Sequence, residues 1–153
     1  MHSPLSIENW AWGLGLTVLT IILHVTGVAL MVLTQRKIWD RLERRDAHSR
    51  HVFSRWVGMC ALVGLLLAVM HGIEIGIWAA AYLWTGAIDT FANAILYSVD
   101  SMTTRGASGL ILRQNWQIMG AIEAIDGMLL FGISTAFIFA MMQAYWQKLA
   151  AKD

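Results

Sequence analysis

Three long apolar stretches, Trp10 to Gln35, Trp56 to Trp84 and Trp116 to Trp146, constrain this chain more than any other feature. A helix crosses the ~30 Å hydrocarbon layer with about 20 apolar residues, so each stretch is long enough. Inside lipid no water satisfies the backbone N–H and C=O groups, and a helix pairs them internally. Composition agrees. Of the 153 residues, 58% are hydrophobic and 14% charged, whereas a water-soluble domain carries nearer a quarter charged. Trp10, Trp12, Trp56, Trp84, Trp116 and Trp146 stand near the rims of the stretches, where amphipathic rings suit the membrane–water interface. The expected fold class is all-α integral membrane, a single domain over residues 1–153.

The net charge of +1 is uninformative about nucleic acid, but its distribution is not. Arg36, Lys37, Arg41, Arg44, Arg45, Arg50 and Arg55 fall between the first two stretches, against Asp40, Glu43 and Asp46. The positive-inside rule makes 36–55 a basic cytoplasmic loop. It would contact anionic lipid heads, with Trp39 and Trp56 as interfacial anchors; a calmodulin-type or nucleic-acid site is the less economical reading. Three crossings then place the N-terminus outside and Lys148 and Lys152 inside, in a plasma (inner) membrane. Met1 to Asn9 carries Glu8 and no Lys or Arg, unlike the charged start of a secretory leader, so the first stretch is expected in the mature protein. Cys60 is the only cysteine, which excludes an intrachain disulfide. No nucleophile arrangement or phosphate-binding glycine loop points to enzymatic chemistry. The cytoplasmic segments are too short for a ligand-binding domain, and a partner protein could supply regulation.

Ala87 to Gly109 is too polar and too short to cross as a helix, with Asp89, Asn93, Asp100 and Arg105 in it. It is either an outer loop or a re-entrant loop, the latter requiring burial in protein or a wet cavity. Asp89 or Thr90 can cap a helix start, and Phe91 to Met102 reads as a short helix with Ile95, Leu96 and Val99 on its apolar side. Thr103-Thr104-Arg105-Gly106-Ala107-Ser108-Gly109 follows. A helix C-terminus carries roughly half a negative charge, and a loop of carbonyls and hydroxyls can replace an ion's water. One chain supplies one such segment, so a closed ring needs several subunits.

Tyr97-Ser98-Val99-Asp100-Ser101-Met102-Thr103-Thr104-Arg105-Gly106 resembles the pore helix and filter of potassium channels. Gly127 to Ala136, with glycines at 127 and 132 and Thr135-Ala136 following, is similar to that family's inner helix. The resemblance, to small bacterial two-pore or Ion_trans_2-type channels, covers roughly Trp56 to Trp146 and leaves the first stretch as an addition. It implies a potassium-channel-like homotetramer with a re-entrant pore helix, conducting monovalent cations, K+ or Na+, passively. By the same resemblance Thr103, Thr104, Arg105, Gly106, Ala107 and Ser108 form the ion path, and Gly127, Met128, Phe131, Gly132 and Thr135 form the cavity and gate.

The filter departs from the family's Thr-Val-Gly-Tyr-Gly, reading Thr104-Arg105-Gly106-Ala107-Ser108. Loss of the second glycine restricts the backbone, and loss of the aromatic cuff loosens the outer mouth, so weakened potassium selectivity is expected. By the resemblance the Arg105 side chain points behind the filter. A buried charge needs partners, and Asp100, with Glu123 or Asp126, is expected to brace it. The rival is an Arg105 ring in the lumen, giving an anion-passing or non-conducting relative. Glycines 127 and 132 read equally as hinges or as close packing.

His24, His71 and Glu74 lie mid-stretch, where polar groups are costly and often functional. A hydrogen bond from His24 to Glu74 or His71, joining the added helix to the rest, is the economical reading. Haem or metal ligation is the alternative, and no cofactor or metal is expected. Gly72 and Gly76, spaced as small-xxx-small, suggest tight packing.

Overall fold

The structure, a computed structural model, describes residues 7–45 and 52–150, with the side chains of 39–45, 52 and 148–150 left aside. Among them are three long helices, α1 (Ile7–Arg45), α2 (Val52–Trp84) and α4 (Gln117–Ala150), and a short one, α3 (Phe91–Met102). A 3-10 turn, Gln114–Trp116, leads into α4. The spans long and apolar enough to cross a membrane are Ile7–Ile38, Phe53–Trp84 and Gln114–Gln147. Only 17–22% of the most apolar window of each is buried within the chain. The remaining apolar surface needs lipid or further protein around it, and the three helices are compatible with a transmembrane protein.

In the stretch expected as a loop over 36–55, the described residues, 36–45 and 52–55, are helical. α1 continues to Arg45 and α2 begins at Val52. Arg and Lys are good helix formers, and nothing in the sequence up to Arg45 breaks the helix once the apolar part has nucleated it. The 39 residues of α1 make a rod of roughly 58 Å at 1.5 Å per residue, well beyond the hydrocarbon layer. Asp46, Arg50 and Lys152 lie outside the described residues.

α1 packs chiefly along α4, and α3 is wedged between α2 and α4. Where helices meet most closely, glycine allows it. A methyl group added at Gly13 would overlap Ile122, and one at Gly27 would overlap Met70. Gly72 and Gly76, by contrast, face no neighbouring atoms, so they are not packing positions within one chain. Trp78, Tyr82, Met102, Met119 and Leu130 fill the centre. Trp56 stacks on Tyr145 at 4.3 Å and ties the opposite ends of α2 and α4.

Gly127 and Gly132 have different surroundings. A Cβ at Gly127 would stand 2.7 Å from the Met102 Cα, so this glycine lets α4 touch the end of α3. Nothing lies near a Cβ at Gly132. Gly127→Ala is therefore expected to destabilise the fold by about 1–3 kcal/mol through overpacking, with Gly132→Ala neutral or better in the same thermal melts.

Candidate pore loop and buried polar ladder

α3 starts and stops for local reasons. Thr90 is extended (φ −128°, ψ 146°) and its hydroxyl accepts from the Asn93 amide. Asp89, the other candidate cap, instead pairs with Arg113 at the surface. At the far end the Arg105 amide donates to the Asp100 carbonyl (2.9 Å) and the Thr104 amide to the Ser101 carbonyl (2.9 Å). This is a Schellman ending. Its left-handed residue is Thr104 at φ 53°, where glycine is usual. A β-branched residue there is an outlier, costing ~1–2 kcal/mol. Thr104→Gly is expected to raise thermal stability by about 1 kcal/mol on that account, while removing a hydroxyl from the loop.

Beyond Thr104 the loop is clasped by one carboxylate. Arg105 Nε donates to Asp100 Oδ1 at 2.6 Å, and the Ser108 amide donates to Asp100 Oδ2. Asp100 is 4% exposed and Arg105 56%. Ser108 and then Arg105, bonding to the charged form, hold the Asp100 carboxyl down to about 2. Gly106 (φ 61°) and Gly109 (φ 67°) supply the left-handed turns that bring Ser108 back. Thr103 to Ala107 face outward from the single chain.

Arg105 and Asp100 thus meet, but Glu123 and Asp126 bond elsewhere. Glu123 is fully buried and accepts from Tyr82 Oη (2.5 Å) on α2 and from the Ser98 hydroxyl on α3. It binds the short helix to both neighbours. Tyr97 stands edge-on to Tyr82 at 5.3 Å, and burial, with the nearby Glu123, pushes its hydroxyl up to about 12. Asp126 Oδ2 accepts from Thr20 Oγ1 (2.7 Å) and Trp78 Nε1 (3.0 Å), joining α1 and α2 to α4.

One further step along the bundle, His24 Nδ1 lies 2.8 Å from Glu74 Oε1 and His71 Nδ1 lies 3.0 Å from Glu74 Oε2. Ser134 Oγ approaches Nε2 of His24 (3.0 Å) and of His71 (3.2 Å). The economical expectation, a contact from His24 to Glu74, is present, and the third helix joins it. Thr20, Trp78, Tyr82, Ser98 and Ser134 were not singled out in the sequence. For Trp78 and Tyr82 the signal is spacing: His71, Glu74, Trp78 and Tyr82 recur every three or four residues, one face of α2.

Met128, Phe131, Gly132 and Thr135 lie exposed on the single chain, whereas Gly127 is buried against α3. No protein-family model, curated protein or solved structure matches this chain.

Proposed function

We infer that this chain is one subunit of a homotetrameric pore, resembling potassium channels, that passes monovalent cations with weakened potassium selectivity. The observation that carries the reading is the clasped loop. A capped short helix between two long apolar helices runs into a Thr- and Gly-containing turn fixed at both ends by Asp100. A fixed loop can present oxygen rings to an ion, whereas a mobile one cannot hold them in place. The outward-facing Thr103 to Ala107, and the uncovered Met128, Phe131 and Thr135 on α4, are the surfaces that fourfold assembly would place around an axis.

Pairing with Asp100 offsets the Arg105 charge and turns the guanidinium back toward α3. This favours bracing over an anion-attracting ring. Ala107 and Ser108 supply neither the aromatic packing nor the second glycine of the family filter, hence the weakened selectivity. The proposed setting is a plasma (inner) membrane, N-terminus outside and C-terminus cytoplasmic, with 36–55 against anionic lipid.

Purified protein in planar bilayers tests this. Under potassium/chloride and potassium/sodium gradients, currents should reverse near the cation potential with a small potassium–sodium shift. Reversal near the chloride potential would put Arg105 in the lumen. Silence from a preparation shown to be tetrameric would mean a fold without conduction.

A further inference from the structure

We propose that His24, His71 and Glu74 form an intramembrane binding site for one divalent transition-metal ion, supported from α4 by Ser134. Three candidate ligands from α1 and α2 converge so that their donor atoms all lie within 4.8 Å of one another. His24 and Glu74 are fully buried and His71 nearly so. The site does not depend on the pore reading.

Hydrogen bonding alone leaves this cluster incomplete. His71 Nδ1 and Glu74 Oε2 stand 3.0 Å apart, yet neither makes an aligned hydrogen bond. With both Nδ1 atoms protonated toward Glu74, two Nε2 lone pairs face the single Ser134 hydroxyl, which has one proton to give. Four short contacts then share three protons. A metal ion resolves the mismatch. It takes Nδ1 of both rings and a Glu74 oxygen. Both Nε2 atoms then carry protons, and the two lone pairs of Ser134 Oγ accept them. Such a second contact fixes the ring and its tautomer.

The donor set selects the metal class. Two imidazoles and one carboxylate suit Zn2+ or Co2+ rather than Mg2+ or Ca2+, which prefer all-oxygen shells, or Cu(I), which prefers sulfur. Bonds of about 2.0–2.1 Å put tetrahedral ligands roughly 3.3 Å apart. Here His24 lies 2.8 Å from Glu74 Oε1 and His71 3.0 Å from Oε2, so the two rings meet different oxygens of the carboxylate, and a shift within the 4.8 Å cluster brings one oxygen and both rings to that spacing. His71 stacks on the exposed Phe131 at 4.3 Å, so an ion reaches the site past that ring.

The test is equilibrium binding to the full chain in detergent, stripped with a chelator and titrated with Zn2+ alone against a chromophoric competitor. One Zn2+ per chain is expected. Replacing Co2+ for Zn2+ should give the visible absorption of a four-coordinate ion. Glu74→Gln and His24→Ala should weaken binding about a hundredfold or more, and Ser134→Ala by roughly 10–100-fold. Replacing His2, His48 and His51 together should change nothing. His71→Cys keeps a ligand and should add a sulfur charge-transfer band to the Co2+ spectrum, a readout that loss of folding cannot imitate. Absence of a one-to-one site, equal binding in Glu74→Gln, or no new band in His71→Cys overturns the proposal and leaves a shared proton as the occupant of the cluster.

Discussion

Asp100→Asn is expected to release the loop that follows α3. The neutral amide keeps the shape of the carboxylate but offers one acceptor oxygen where Arg105 and Ser108 use two. Hydrogen bonds to an ionised acceptor are roughly twice as strong as neutral ones. Hydrogen exchange at the Ser108 amide should therefore rise about tenfold or more, and any ion selectivity should fall with it. Wild-type protein has a matching pH dependence. The Asp100 carboxyl titrates at about 2, below its ordinary value of about 3.9. A depressed carboxyl contributes stability that is complete above the unfolded value and is lost as pH falls through the folded one. Ser108 protection, corrected for intrinsic exchange, should thus hold from pH 7 to about 4 and decline only toward pH 2, whereas in Asp100→Asn it should be reduced and independent of pH over that range. Undiminished protection in the variant would remove the clasp from the account of the loop.

Glu123→Ala should produce the largest loss of stability. Its carboxyl group accepts from Tyr82 and Ser98; truncation orphans the buried Tyr82 hydroxyl and leaves Ser98 only the longer contact to the Ile75 carbonyl (3.2 Å). Each buried polar group so orphaned costs about 1–3 kcal/mol. Because Ser98 sits on α3 and Tyr82 on α2, the damage should centre on the short helix. Proteolysis between 103 and 109 should accelerate before the long helices unfold. Glu123→Gln retains an acceptor and should recover part of the loss. Asp126→Ala makes the informative comparison: it frees Thr20 and Trp78, so it should loosen α1 and leave α3 in place. Equal cleavage of the loop in both variants would show that the two acids do not hold separate helices.

Much of the architecture is legible because lipid demands it. The three apolar runs, a capped start at Asp89 or Thr90 and the short helix Phe91–Met102 can all be read from residue order; the structure selects Thr90. Capping and hydrophobic length are local properties, decided within a few residues. The boundary between α1 and α2 is less legible. A basic stretch reads as a loop by its charge, yet Arg and Lys continue a helix readily, and α1 runs to Arg45. The roles of the acids were still harder to read. Asp100 is the expected partner of Arg105, but depth alone adds Glu123 or Asp126 to it, because spacing says which face a side chain shares with its own helix and nothing about which helix lies opposite.

The sequence by itself determined that this chain has three helices long and apolar enough to cross a membrane, and a short capped helix before a Thr-Thr-Arg-Gly turn. Hydrophobic length, caps and turn residues act locally, so no knowledge of neighbours is required. Only the tertiary structure decided the remaining pairings between helices: Glu123 with Tyr82 and Ser98, Asp126 with Thr20 and Trp78, and Ser134 with the two histidines beside Glu74. Those choices depend on the rotation of each helix about its axis. That rotation is set where Gly13, Gly27 and Gly127 let backbones approach, a property of two surfaces together and of neither sequence segment alone.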